Sequence, residues 1–194
     1  MPYAEEIQQF VSKYPALKAI GNTPLVEMDG LTGTGNALIY AKYEHLNPGG
    51  SIKDRPVLRM LVDAILSGDL NEDMTILDAT SGNAGIAYAM IGAILGYQVK
   101  LVMPENASEE RKKRLIAHGA DLVFTDPQKG YDEALYEVKR MYDADPDSYF
   151  YCDQYSNGNN PKAHYETTAV EIICLLYTSD AADEGLGVDL GGRR

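Results

Sequence analysis

Short apolar runs alternate with amphipathic segments along most of this chain, and the alternation predicts the fold class. From residue 74 onward, apolar runs of strand length are separated by segments whose apolar positions have helical spacing. The predicted strands cover residues 75–77, 99–103, 121–125 and 149–151. The predicted helices cover residues 86–95, 108–116 and 131–142, and another opens at Asn160-Pro161 with a cap and a first-position proline. This order predicts an α/β fold in three layers, with a parallel sheet covered on both faces.

A further helix is predicted just after a turn that reads Asn-Pro-Gly-Gly-Ser-Ile-Lys-Asp-Arg, residues 47–55. Pro48 fixes one backbone angle, and the two glycines allow positive φ and close approach of another group. Ser51 or Asp54 is expected to cap the helix. The helix should bury one apolar stripe, formed by Leu58, Leu61, Val62, Ile65 and Leu66.

The turn places Lys53 at the start of this helix. Unpaired N–H groups and the positive end of the helix dipole disfavour a protonated ammonium there. A lysine in such a position can be a nucleophilic amine that forms a Schiff base. A solvated lysine in a first helical turn is the ordinary alternative, and the motif alone leaves both interpretations open.

A second loop, Thr80-Ser81-Gly82-Asn83-Ala84-Gly85, joins a predicted strand to a predicted helix. Ligands of open parallel sheets bind beyond the carboxyl ends of the strands, where helix N-termini point outward. Backbone N–H groups, hydroxyls and an amide make this loop suited to a carboxylate. A dinucleotide site is a competing interpretation, but the loop lacks the first glycine of that fingerprint. Simple helix capping is the other alternative.

Composition and charge narrow the possible partners to small molecules. The chain has 194 residues, 45% of them apolar, with a net charge of −12. This acidity argues against nucleic-acid binding and against docking on an anionic membrane. An apolar run of about 18 residues and a signal peptide are both missing, so we expect a cytoplasmic protein. Cys152 and Cys174 lack metal-ligand spacing and the histidines are scattered, so no metal site is expected.

Taken together, the motifs resemble those of the cysteine synthase family, the O-acetylserine sulfhydrylases. These have the tryptophan-synthase-β-like fold, fold type II of pyridoxal-phosphate enzymes. The resemblance covers residues 14–173. It rests on the segments 21–26, 47–55, 80–85, 103–106, 110–111, 119–120, 153–154 and 160–168.

The resemblance implies roles for individual residues. Lys53 would carry pyridoxal 5'-phosphate as a Schiff base and act as the acid–base group at the substrate α-carbon. Asn83 would also contact the cofactor, at its phenolic oxygen. The substrate carboxylate would be held by Thr80, Ser81, Gly82, Asn83, Ala84 and Gln154. The family commonly has threonine where this chain has Ala84, so substrate affinity or choice should differ.

The implied reaction is the β-replacement of O-acetylserine with sulfide to give L-cysteine, by a full-length homodimer. Other enzymes of the same fold are alternatives: cystathionine β-synthase, diaminopropionate synthase and serine or threonine dehydratase. A folded fragment without catalytic activity is the remaining alternative. The loop that binds the cofactor phosphate in this family has no counterpart in the sequence.

The same resemblance suggests a division of the chain. Residues 1–40 would be an N-terminal arm that belongs partly to a large domain, and residues 41–150 a complete small domain. Residues 151–173 would begin the truncated large domain. Residues 174–184 resemble a translated sequencing adapter, so we expect residues 174–194 to be a non-native tail. A genuine divergent tail is the alternative.

Overall fold

The computed structural model describes residues 5–28, 38–80 and 82–186, with side chains up to residue 177. The strands are β1 (Leu25–Glu27), β2 (Tyr40–Lys42), β3 (Thr75–Ala79), β4 (Val99–Pro104), β5 (Asp121–Thr125) and β6 (Tyr149–Tyr151). The helices are α1 (Glu5–Val11), α2 (Pro15–Lys18), α3 (Asp54–Ser67), α4 (Asn83–Leu95), α5 (Glu109–Ala117), α6 (Gly130–Ala144), α7 (Asn159–Ala163) and α8 (Ala169–Leu186). A π-helical turn, His164–Thr168, joins α7 to α8.

Four parallel strands form the main sheet, in the order β5-β4-β3-β6. Neighbouring residues of β3 point to opposite faces, as the strand period requires. Ile76 packs in the core that contains α3 and α4, whereas Leu77 packs in the core that contains α6. Helices therefore cover both faces, which confirms the predicted three-layer α/β arrangement. A separate antiparallel pair, β1 and β2, aligns Leu25 with Lys42.

The strands begin where the apolar runs predict, and β5 and β6 match their predicted bounds. Helix α4 begins at Asn83, three residues before the predicted start. Part of the predicted loop is therefore the first helical turn. Gly85 makes this possible, because a Cβ atom there would lie 2.4 Å from Thr80 Cγ2.

Two expectations about helices are wrong. Leu66 was expected in the buried stripe of α3, but it is 45% exposed in the last turn, while Leu70 beyond the helix is buried. Asn160 was expected to cap α7, but the capping position is Gly158, which makes no side-chain cap. The Asn160 amide instead donates to the Gln154 carbonyl at 2.7 Å.

The remaining expectations about organisation stay predictions. The division into arm, small domain, large domain and tail is one of them, and part of the arm and of the tail lies outside the described residues. Among the described helices, none combines the length and apolar character needed to cross a membrane.

Candidate active site

Lys53 lies immediately before α3, at the end of a tight turn. The turn is closed by a hydrogen bond from the Gly50 N–H to the Asn47 carbonyl at 2.7 Å, and Gly50 has a φ of 83°. Ser51 Oγ accepts the Lys53 N–H at 3.1 Å. The capping position is Lys53 itself, without a side-chain cap, so the expected cap by Ser51 or Asp54 is wrong. Lys53 is half-buried, and among the described residues its amine has no hydrogen-bond or ion-pair partner.

Asp54 closes the turn from inside the protein. Its carboxylate is fully buried, and Oδ2 accepts the Gly49 N–H at 2.5 Å, while Oδ1 has no hydrogen-bond partner within the described part of the chain. Burial raises the pKa of Asp54 to about 6, and the Gly49 hydrogen bond only partly opposes this rise. Gly49 is required by this contact, because a Cβ atom there would lie 2.3 Å from Asp54 Oδ1.

Asn47 fastens the other end of the turn. Its side chain is buried, and Oδ1 accepts the Gly21 N–H at 2.8 Å. Its amide nitrogen donates to the carbonyls of Glu44 at 2.9 Å and Ser51 at 3.1 Å. One side chain thus joins the segment before β1, the turn after β2 and the turn that carries Lys53.

A partly buried ionic cluster, formed by Lys42, Glu44, Arg55 and Glu171, lies behind the turn. Arg55 is 1% exposed and donates to Glu44 Oε2 at 2.8 Å and to Glu171 Oε1 at 2.6 Å. Lys42 Nζ contacts Glu171 Oε2 at 2.6 Å. Burial alone would raise the pKa of Glu171, but hydrogen bonds from Arg55 and Lys42 outweigh it and lower the pKa to about 2. The cluster joins α3 to α8.

The loop before α4 is organised by the Thr80 hydroxyl, which is buried. Thr80 Oγ1 accepts the N–H groups of Gly85 at 2.9 Å and Gly82 at 3.3 Å. The first N–H groups of a helix have no intrahelical partners, so those of Asn83 and Ala84 are available to an anion. Asn83 is exposed and Ala84 is buried. Ser81, expected to bind substrate, lies outside the described residues.

Gln154 reaches this loop from the segment after β6. Its side chain is buried, and Nε2 donates to the carbonyl of Ala79, the residue before Thr80, at 3.4 Å. The Tyr131 hydroxyl donates to the same carbonyl at 2.8 Å. The structure therefore brings Thr80, Gly82 and Gln154 together at the carboxyl end of β3.

Asp78, inside β3, is a buried acid that the sequence analysis did not single out. It is 1% exposed, Oδ1 accepts the Ala79 N–H at 2.7 Å, and the buried Tyr88 hydroxyl lies beside the carboxylate and acts to lower its pKa. Burial raises the pKa of Asp78 to about 7. An acid in an otherwise apolar strand, just before a polar loop, was the available signal.

Lys53 and the loop are placed at the starts of two helices that pack in one core, α3 and α4. No hydrogen bond joins Lys53 to residues 80–85 among those described. A cavity of about 300 Å³ lies elsewhere, between α1, α2, α3 and α8, and none of the predicted site residues lines it.

The donor set fits the ring end of pyridoxal phosphate. Lys53 is a primary amine that no described residue engages in a hydrogen bond or ion pair, which is what the cofactor aldehyde requires. Asn83 offers an exposed amide, and the start of α4 offers unpaired N–H groups.

The chain belongs to the family of pyridoxal-phosphate dependent enzymes, and the model of that family matches residues 16–189 of the chain. Within this family it is similar to the cysteine synthase of Aquifex aeolicus, with 49% identity over 159 residues, 80% of this chain and 49% of that protein. It is also 42% identical over 160 residues to the cystathionine beta-synthase of Apis mellifera, covering 80% of this chain and 32% of that protein.

Solved structures of related enzymes are also similar to this chain. A hydrogen sulfide-producing enzyme of Fusobacterium nucleatum matches with a TM-score of 0.78 and 42% identity, over 84% of this chain and 54% of that one. A cysteine synthase of Entamoeba histolytica matches with a TM-score of 0.77 and 40% identity, over 81% of this chain and 47% of that one. The resemblance, the type II fold and the cofactor class are thereby confirmed. The chain spans about half the length of the cysteine synthases named here.

Proposed function

We propose that this protein contributes the Schiff-base lysine and the substrate-carboxylate loop of a cysteine synthase, which replaces the acetate of O-acetylserine with sulfide to give L-cysteine. The observation that carries the proposal is the half-buried Lys53, whose amine has no partner among the described residues and whose turn is fastened by buried side chains. Cysteine synthases at 40–49% identity support the choice of reaction.

Pyridoxal phosphate, when bound, supplies an electron sink for carbanion chemistry at the amino acid. Lys53 provides the amine that carries the cofactor and moves the proton at the substrate α-carbon. The buried Asp54, Asn47 and Arg55 fix the backbone on both sides of this lysine. Fixed geometry is what makes proton transfer efficient, because the amine does not have to search for its target.

The loop of residues 80–84 holds the substrate carboxylate. Its N–H groups at the start of α4 suit an anion, and the Thr80 hydroxyl keeps them aligned. Gln154 adds an amide donor from the segment after β6. Ser81, Asn83 and Ala84 complete the proposed set, and Asn83 also contacts the cofactor.

A cystathionine β-synthase is the second candidate. It is favoured by the relative in Apis mellifera and by a solved O-acetylserine dependent cystathionine beta-synthase of Helicobacter pylori, at 34% identity. Both reactions replace a β-substituent of an amino acid, and they differ in the incoming thiol. Assays with sulfide and with homocysteine as the acceptor separate the two candidates.

Cofactor capture tests the role of Lys53 directly. Purified protein is incubated with pyridoxal phosphate, reduced with borohydride and digested, and mass spectrometry locates the pyridoxyl group. We expect the label on the peptide that contains Lys53, and its loss in Lys53→Ala. Lys129→Ala is the matched control, since Lys129 is exposed and pairs only with nearby Glu133. A label on another lysine, or none in the folded full-length gene product, would contradict the proposal.

The oligomer and the location complete the proposal. We propose that the full-length protein is a homodimer and a cytoplasmic enzyme, on the basis of the family resemblance and of substrates that are small and polar. Sedimentation velocity tests the first, and cell fractionation the second. A monomer at micromolar concentration would contradict the dimer.

A further inference from the structure

The carbonyl of Ala79, the last residue of β3, is shared by two side-chain donors. Ala79 is fully buried, and its carbonyl directly precedes the loop that begins at Thr80. Tyr131 donates from the start of α6, and Gln154 donates from the segment after β6. Helix α6 and the segment after β6 therefore both hold the loop through hydrogen bonds to this carbonyl.

The two hydrogen bonds are unequal. The Tyr131 hydroxyl lies 2.8 Å from the Ala79 oxygen, a typical length for a strong O–H···O bond. Gln154 Nε2 lies 3.4 Å from the same oxygen, which is long for an N–H donor. If the Gln154 amide leaves, the buried carbonyl keeps its better donor and no unsatisfied group results.

Gln154 is placed to make that movement. Asn160 holds its backbone carbonyl at 2.7 Å, so the side chain can rotate while the backbone stays fixed. Tyr131 is held differently, since its ring packs edge-to-face on Tyr155 with 6.5 Å between the centroids. Burial raises the pKa of Tyr131, so its hydroxyl stays protonated and donates throughout the working pH range.

We propose that Tyr131 is a positioning residue for substrate binding. Its hydroxyl holds the Ala79 carbonyl, so the loop keeps its shape when the Gln154 amide turns from that carbonyl to the carboxylate of the amino-acid substrate. The turn of the Gln154 amide to the substrate carboxylate rests on the proposed function, whereas the hold of Tyr131 on the loop does not.

Hydrogen exchange of the 194-residue chain, without cofactor, tests the hold on the loop. Tyr131→Phe keeps the ring and removes the hydroxyl, and we expect the hydrogen-bonded amides of Gly82 and Gly85 to exchange about tenfold faster. Tyr136→Phe is the matched control, because Tyr136 lies in the same helix and is 73% exposed. Loop amides that exchange at the wild-type rate in Tyr131→Phe would overturn the proposal.

Substrate titration tests the release of Gln154. In protein loaded with pyridoxal phosphate, visible absorbance reports the binding of O-acetylserine, and we expect Tyr131→Phe to weaken it about tenfold. Gln154→Ala should weaken binding in the wild type but add little in the Tyr131→Phe background. Additive losses, or wild-type binding by Tyr131→Phe, would overturn the proposal and leave the proposed function standing. If the wild type failed to take up cofactor, the proposed function would be wrong. The hydrogen-exchange experiment would still test whether the Tyr131 hydroxyl holds the loop.

Discussion

The turn before α3 and the loop before α4 both present polar groups at a helix start, but they are held in different ways. The turn is fastened by buried side chains that reach several segments, namely Asn47, Asp54 and Arg55. The loop is fastened by the Thr80 hydroxyl and by the two donors on the Ala79 carbonyl.

This difference suits the two proposed tasks. A lysine that carries a cofactor and moves protons needs one fixed position, and buried ionic and amide contacts provide it. A loop that closes on a carboxylate needs contacts that can be exchanged at low cost, and the long Gln154 hydrogen bond is such a contact.

Arg55→Ala should have the largest effect, because it removes the fully buried cation that pairs with Glu44 and Glu171 and leaves Lys42 as their common partner. Breaking a buried ion pair on one side typically costs about 3–5 kcal/mol. We expect a loss of that size in the free energy of unfolding, measured by urea denaturation. Arg140→Ala is the control, since its pair with Glu137 is exposed and should contribute less than about 1 kcal/mol. Equal effects of the two variants would show that the cluster does not stabilise the turn.

The pH dependence of stability should separate the two regions. The pKa of Glu171 falls from 4.5 to about 2 on folding, so its contribution is complete above pH 4.5 and is lost as the pH falls toward 2. Its size is on the order of 3 kcal/mol. The pKa of Asp78 rises from 3.8 to about 7, so its contribution is complete below pH 3.8 and is lost as the pH rises toward 7.

Urea denaturation at a series of pH values checks both signs. Glu171→Gln should flatten the profile between about pH 2 and pH 4.5, and Asp78→Asn should flatten it between about pH 4 and pH 7. If either variant gave a profile parallel to that of the wild type, the corresponding carboxylate would not be the titrating group.

Gly49→Ala should disturb the turn by overpacking. The added Cβ atom would lie 2.3 Å from Asp54 Oδ1, and relief of such a contact usually costs about 1–3 kcal/mol. Because Asp54 follows Lys53 directly, pyridoxyl labelling of Lys53 should fall as well. Gly158→Ala is the control, with a φ of −60° and open space around the new atom. Full labelling in Gly49→Ala would mean that the turn does not position the lysine.

Thr80→Val should give the smallest effect, confined to the loop. It removes the acceptor of the Gly82 and Gly85 N–H groups, a loss of about 1 kcal/mol, and should speed the exchange of these two amides. Thr125→Val is the matched control, because the buried Thr125 hydroxyl has no hydrogen-bond partner among the described residues. A larger loss in the control than in Thr80→Val would contradict the assigned role of the hydroxyl.

Local pattern was a good guide wherever a local cause dominates. The bounds of β5 and β6 were predicted because a short apolar run is bounded on both sides by polar or turn residues. Ser108, the first residue of a predicted helix, caps α5, and its hydroxyl accepts the Arg111 N–H at 3.3 Å. The predicted cap at Asn160 was wrong because the Asn160 amide donates to the Gln154 carbonyl, six residues earlier in the chain.

The sequence by itself determined the order of elements, the parallel sheet, the family and the two motifs around Lys53 and Thr80. Each of these follows from residue types a few positions apart, and hydrophobic spacing and glycine chemistry act at that range. Only the tertiary structure decided the ionic cluster, the hydrogen bond from the Tyr131 hydroxyl to the Ala79 carbonyl and the raised pKa of Asp78. Arg55 and Glu171 are 116 residues apart in sequence, and Tyr131 and Ala79 are 52 apart. Burial and pairing between such distant residues exist only once the helices have packed on the sheet, so no local pattern could reveal them.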